Sequence, residues 1–317
     1  MKKHIRSISM IVAFLVGGLF HEQLSPLGSY LPASVALMLS ITFIGIETAR
    51  LKPQRMHLWV LLGIQLIGLG FWGIARLLGY PVLAESLFFC GIAPVAIAAP
   101  VIVNLLKGNV EFTTTALVLS QIVFGLLTPL LMPFIVQVEG FCYSELALEV
   151  AIQLGTVLGI PAAVAIMMRL LYPPCKSWTA KLRDVSLGIW IVNLTIIAGV
   201  GTQRVLNMDI SWWDMLPLVA GSLLVCVTGF VAGYKLGGRE LKRECSQCLG
   251  QKNTILTLYI ASQWYVHPLA YIGPAFYVFF HNMANALQIA LANREKSKLQ
   301  RIKEPSGSCK PDSVHPR

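Results

Sequence analysis

Ten stretches of mostly apolar residues, each near the twenty needed to cross the hydrocarbon layer of a bilayer, follow one another with only short polar joints between them. They lie at about residues 4–20, 30–49, 57–79, 82–106, 111–136, 147–171, 185–202, 213–236, 241–266 and 269–291. Lipid offers backbone N–H and C=O groups no partner, so the runs are read as α-helices. Composition agrees: 56% of the 317 residues are hydrophobic and 13% charged, against about 25% charged in soluble domains. The basic, apolar start, Met1 to Phe20, has no small-x-small site before His21 and is read as a retained first span rather than a cleaved signal.

The joints give an orientation. Of the 25 Lys and Arg residues, 22 fall on one set of alternating joints; Arg76 and Arg204 lie on the other, and Lys252 within a span. Basic loops resist translocation, so the first set, both termini included, is expected in the cytoplasm, with the joints near Gln23, Glu139 and Asn207 outside. The net charge of +10 is thereby a topology signal, and nucleic-acid binding is not expected. Residues 1–292 read as one membrane domain in an inner or plasma membrane, and 293–317 as a basic, disordered cytoplasmic tail able to touch anionic lipid.

Two stretches depart from ordinary membrane helices. The fourth places Pro94 and Pro100 near mid-span, each removing a helix donor. The ninth runs Glu244-Cys245-Ser246-Gln247-Cys248-Leu249-Gly250-Gln251-Lys252-Asn253-Thr254 at membrane depth, where a Lys costs about 2.5 to 3.5 kcal/mol. Both are expected to break and to meet. Each is the fourth of five spans, and halves of five spans, about 1–138 and 139–292, must run in opposite directions. Interrupted helices at matching places in inverted halves point to a transporter with its site between them. The blander alternatives are proline kinks and a cytoplasmic loop, which would leave only ten residues, Ile255 to Trp264, to span the bilayer.

Several segments carry a family likeness: Phe43-Ile44-Gly45-Ile46-Glu47-Thr48, Gly63-Ile64-Gln65, Leu106-Lys107-Gly108-Asn109-Val110, Gly250-Gln251-Lys252-Asn253-Thr254 and Gly273-Pro274-Ala275-Phe276-Tyr277-Val278-Phe279-Phe280-His281-Asn282. In this order they resemble the bile acid:sodium symporter superfamily. The resemblance implies an all-α membrane fold of ten helices, an inverted five-helix repeat and two crossing discontinuous helices. Helices three, four, five, eight, nine and ten would form a core beside a panel of the other four. It also implies an organic-anion substrate bound near the crossing and two sodium ions beside it. The Ser-Asn pair of one sodium site falls here on Ala99 and Pro100, and the Glu and Gln of the other on Cys248 and Lys252. Gln65, Thr113 and Asn253 remain as oxygen donors.

That change removes a carboxylate and adds an ammonium, so the chain is expected not to require sodium as its relatives do. Lys252 has three readings: a fixed charge in place of the ion, a proton carrier in a proton-coupled cycle, or a structural cation paired with Glu244 or capped by carbonyls. The candidate substrate and ion site thus comprises Gln65, Pro94, Ala99, Pro100, Thr113, Cys248, Gln251, Lys252, Asn253, Thr254, His281 and Asn282. His281 and Asn282 serve either the cavity or contact between helices, and Asn285 and Gln288 lie on one face directed into the bundle. Trp212, Trp213, Trp264 and Tyr265 suit the outer interface, and Glu47 suits a pair with Arg50. Cys245 and Cys248 have C-x-x-C spacing without a second pair or a nearby His. With no cluster of nucleophile, base and orienting group, an enzyme is not expected. A transporter of a small organic anion, with Na⁺ or H⁺ as coupling ion, stands beside a second class, a transport fold serving as sensor or scaffold.

Overall fold

A computed structural model describes residues 2–46, 51–136, 142–207, 211–263 and 267–303. The Glu47–Arg50 pair, the joint at Glu139 and the rings of Trp264 and Tyr265 lie outside the described residues. All the regular elements described are helical: α1 (Lys2–Leu19), α2 (His21–Leu24), α3 (Leu31–Ile44), α4 (Arg55–Leu77), α5 (Pro81–Ile92), α6 (Ala99–Leu105) and α7 (Val110–Ile135). There follow α8 (Tyr143–Leu154), α9 (Ile160–Leu171), α10 (Thr179–Leu206), α11 (Trp212–Leu236), α12 (Lys242–Gly250), α13 (Thr254–Gln263) and α14 (Ile272–Lys303).

Among the described residues, five helices are long and apolar enough to cross a membrane: His21–Ile44, which joins α2 and α3 through a 3₁₀ turn, then Arg55–Leu77, Val110–Ile135, Tyr143–Leu171 and Trp213–Leu236. Their outer faces carry large apolar side chains. On α7, Ile122, Leu126, Leu130 and Phe134, one per helical turn, are 52% to 66% exposed. An apolar stripe of this length left uncovered in a folded chain suits lipid as solvent. Together these features define a multi-pass integral membrane protein.

Three elements differ in detail from the apolar stretches. The stretch at 147–171 lies within one candidate span, Tyr143–Leu171, inside which α8 and α9 meet at a π-helical turn, Gly155–Gly159, with Pro161 opening the next segment. Two glycines and a proline within seven residues weaken the regular ladder there. The segment 293–317 does not begin as a disordered tail, because α14 continues through Lys303. Residues 293–303 contain neither Gly nor Pro and are rich in good helix formers, so nothing local ends the helix at Ala292. The seventh stretch begins earlier and ends later than its apolar run, as α10.

Helix α12 is held by backbone contact. Gly229 and Gly233 on α11 face the carbonyls of Leu249 and Cys245 on α12, and Gly237, which caps α11, faces the carbonyl of Leu241, which precedes α12. A Cβ at Gly229 would lie 2.6 Å from the Leu249 oxygen. Small residues in register thus let the helices approach without intervening side chains. At the other end, Arg243 Nη1 donates to the Leu106 carbonyl at 2.8 Å, and the Asn109 N–H donates to the Glu244 carboxylate. These bonds fix the α6–α7 turn, in which Lys107 adopts φ +58°.

Candidate binding site

Both interrupted helices break where the sequence weakens them. Helix α5 ends at Ile92 and α6 begins at Ala99 with Pro100 in its first turn, so the missing proline N–H is one the helix would not have used. Helix α12 ends at Gly250, and α13 starts at Thr254. The extended residues between them pair with each other: Val95 and Lys252 form an antiparallel bridge. The Ala96 N–H donates to the Gln251 carbonyl at 2.9 Å, and the Asn253 N–H donates to the Pro94 carbonyl at 2.8 Å.

Neighbouring helices satisfy other groups freed by the breaks. The Val95 N–H donates to Ser120 Oγ at 3.0 Å, while that hydroxyl donates to the Leu117 carbonyl at 2.9 Å. Tyr277 Oη donates to the Gly250 carbonyl at 2.9 Å. Irregular backbone survives in a membrane protein only when its polar groups are paired or face a cavity.

A cavity of about 530 Å³ lies against this junction. Its walls come from α3, α6, α7, α10 and α14 as well as the breaks, and it extends toward Gly45, Asn104 and Glu111. Most of the lining is apolar, including Ile97, Val101, Leu117 and Ile255. Thr42 and Ser186, whose hydroxyls lie 3.2 Å apart, tie α3 to α10 across one wall.

Seven of the twelve expected site residues line this cavity: Pro100, Gln251, Lys252, Asn253, Thr254, His281 and Asn282. Four carry a buried polar atom with no hydrogen-bond partner among the described residues: Gln251 Oε1, Lys252 Nζ, Asn253 Nδ2 and His281 Nδ1. Lys252 is 1% exposed. Leaving a buried polar group unpaired costs about 1 to 3 kcal/mol, more for a charge, so these four residues are the candidates on this cavity for contact with a ligand. Asn282 contributes less, because its Nδ2 donates to the Val278 carbonyl of its own helix at 2.7 Å.

The other five expected residues do not line the cavity. Ala99 and Cys248 are wholly buried in an apolar cluster, and the Pro94 carbonyl is engaged in the bridge. Thr113 Oγ1 donates to the Asn109 carbonyl at 3.1 Å; Gln65 on α4 has a buried, unpartnered Oε1. Ala99, Pro100, Cys248 and Lys252 give no carboxylate and no side-chain oxygen, a donor set unsuited to a hard cation that wants several oxygens.

Lys252 Nζ has no hydrogen-bond partner among the described residues, Glu244 included, and the Glu244 carboxylate accepts from the Asn109 N–H. Asn285 and Gln288 do face the bundle: both accept from Gln247 Nε2 at 3.0 Å. The sequence reading gives no role to Ser120, Gln247 or Tyr277. Ser120 and Gln247 stand out only as polar groups at membrane depth, and Tyr277 sits inside the segment of family likeness without a signal of its own. No protein-family model and no curated protein matches the chain.

Proposed function

We propose that this chain is a secondary transporter resembling the bile acid:sodium symporters, moving a small organic anion across an inner or plasma membrane by alternating access. In this reading the ten apolar stretches are ten spans in two inverted halves, and both termini are cytoplasmic. The observation that carries it is the junction of two broken helices beside a cavity with four orphaned polar groups. Unwound backbone at membrane depth is tolerated where it is buried in protein or lines a cavity, and paired interruptions in two halves are how secondary transporters build a solute site.

A second reading, a transport fold retained as a sensor or scaffold, is favoured by the unsuitable sodium ligands Ala99, Pro100, Cys248 and Lys252. Uptake into proteoliposomes, with sodium and pH gradients imposed separately on a panel of organic anions, separates the two. Saturable uptake above empty liposomes supports the carrier. Binding without uptake under every gradient supports the sensor and overturns the carrier.

A further inference from the structure

We infer that Lys252 and Asn253 hold the anionic head of the solute at the start of α13, so that a fixed ammonium supplies the positive charge and sodium is not required. This inference rests on the transporter reading and specifies the ligand of its site.

Four observations converge. Lys252 Nζ and Asn253 Nδ2 belong to adjacent cavity-lining residues, are buried, and have no partner among the described residues. They are 1% and 7% exposed as residues, so bulk water does not solvate them. Both stand immediately before α13, a ten-residue helix whose first-turn N–H groups add partial positive charge at the same place. The Glu244 carboxylate accepts from the Asn109 N–H, and the lining carboxylate Glu111 is exposed.

An ammonium, an amide N–H₂ and a helix N-terminus are all donors, and together they repel a cation and complement a carboxylate or sulfonate. The largely apolar walls then take a hydrocarbon or aromatic body. The ligand defined by these groups is an amphipathic monoanion. Gln251 Oε1, an unpartnered acceptor on the same cavity, suits a hydroxyl or N–H donor near the head. A sodium ion placed among these groups would meet the Lys252 charge instead of a carboxylate, so the anion loads the site alone.

The test is calorimetric titration of the purified chain in lipid nanodiscs. The probes are octanoate, cyclohexanecarboxylate and indole-3-acetate, each beside its primary amide, in choline chloride and in sodium chloride at equal ionic strength. Wild type, Lys252→Gln and Lys252→Arg are compared. The expected result is binding of at least one acid with equal affinity in both salts and its amide bound at least about tenfold more weakly. Lys252→Gln loses about tenfold to a hundredfold for the acid, the range of a charge-assisted hydrogen bond, while Lys252→Arg retains part of it. Acid binding that is unchanged in Lys252→Gln, or that needs sodium in wild type, overturns the role of Lys252 and leaves the cavity as a binding site. Binding of neither acids nor amides by wild type overturns the organic-anion reading as well. Should Lys252→Gln fail to fold, the acid-to-amide ratio and the sodium comparison in wild type decide the matter alone.

Discussion

The glycine track between α11 and α12 sets the position of the ninth stretch, and Gly229→Ala tests it. The added Cβ would lie 2.6 Å from the Leu249 oxygen, 3.1 Å from its carbonyl carbon and 3.2 Å from Gly250 Cα. An ordinary carbon–oxygen contact begins near ~3.3 Å, so the helices must separate by about 0.7 Å or keep the clash. Keeping it costs about 1 to 3 kcal/mol, the usual range for an overpacked core. Separating moves Gly250 and the adjacent Gln251, whose carbonyl accepts the 2.9 Å bond from Ala96. Stretching that bond and the one from Asn253 to Pro94 loses about 1 kcal/mol each. Either route gives a loss of about 1 to 3 kcal/mol. Gly70→Ala is the control, because nothing lies within 4 Å of the methyl it adds, and Ala is the better helix former by about 1 kcal/mol. Gly229 is also interior to a helix, so the same gain offsets about 1 kcal/mol of its loss, and the control cancels it. Thermal unfolding in one detergent, followed by the monodisperse fraction on size exclusion, should place Gly229→Ala several degrees below Gly70→Ala. Equal midpoints for the two variants would refute backbone contact between α11 and α12.

Tyr277→Phe removes the donor to the Gly250 carbonyl and leaves a buried acceptor unpaired, so the same melt should show a loss of about 1 to 3 kcal/mol. An unaltered midpoint would mean that the carbonyl finds another partner. Gln247→Leu breaks the bonds to Asn285 and Gln288; with interhelical bonds in membranes averaging about 0.6 kcal/mol, its cost should be about 1 kcal/mol. Loss of folding would assign Gln247 a larger role than these two bonds. Cys142 is exposed and lies in a joint expected outside, so a membrane-impermeant maleimide added to intact cells expressing a Cys309→Ser variant should label it. Labelling only after permeabilisation would reverse the orientation.

Much of the fold is legible in the sequence because the solvent imposes it. Apolar length marks helices, and Pro94, Pro100 and the polar run ending at Asn253 mark the two places where a helix cannot continue undisturbed. That the breaks touch is suggested by their matching positions, but their register is not. Pairing Val95 with Lys252 depends on how far α12 slides along α11, and the Gly229, Gly233 and Gly237 track that sets this is a spacing of small residues with meaning only beside its partner helix. The site is half legible for a similar reason. Lys252, Asn253 and His281 stand out because charge and amide groups at membrane depth need a purpose. Ala99 and Cys248 enter through family likeness alone, and the fold turns both into the apolar cluster. The π-helical turn at Gly155–Gly159 is missed because hydropathy is blind to a register shift inside an apolar run.

The proposed site stands or falls on the contact between the two breaks, and a disulfide measures that contact directly. In the bridge, Val95 and Lys252 are flanked by the bonds from Ala96 to Gln251 and from Asn253 to Pro94, which makes them a non-hydrogen-bonded antiparallel pair. Such pairs hold their Cα atoms about 4.5 Å apart, within the roughly 4.4 to 6.8 Å that a disulfide spans. With the native cysteines replaced, Val95→Cys/Lys252→Cys should close an intramolecular disulfide in membranes on mild oxidation, seen by mass spectrometry as a cross-linked peptide pair lost on reduction. Each single-cysteine variant should give none. Two free thiols after oxidation, in a double variant that runs as a folded monodisperse protein, would place the breaks apart and contradict the site built between them.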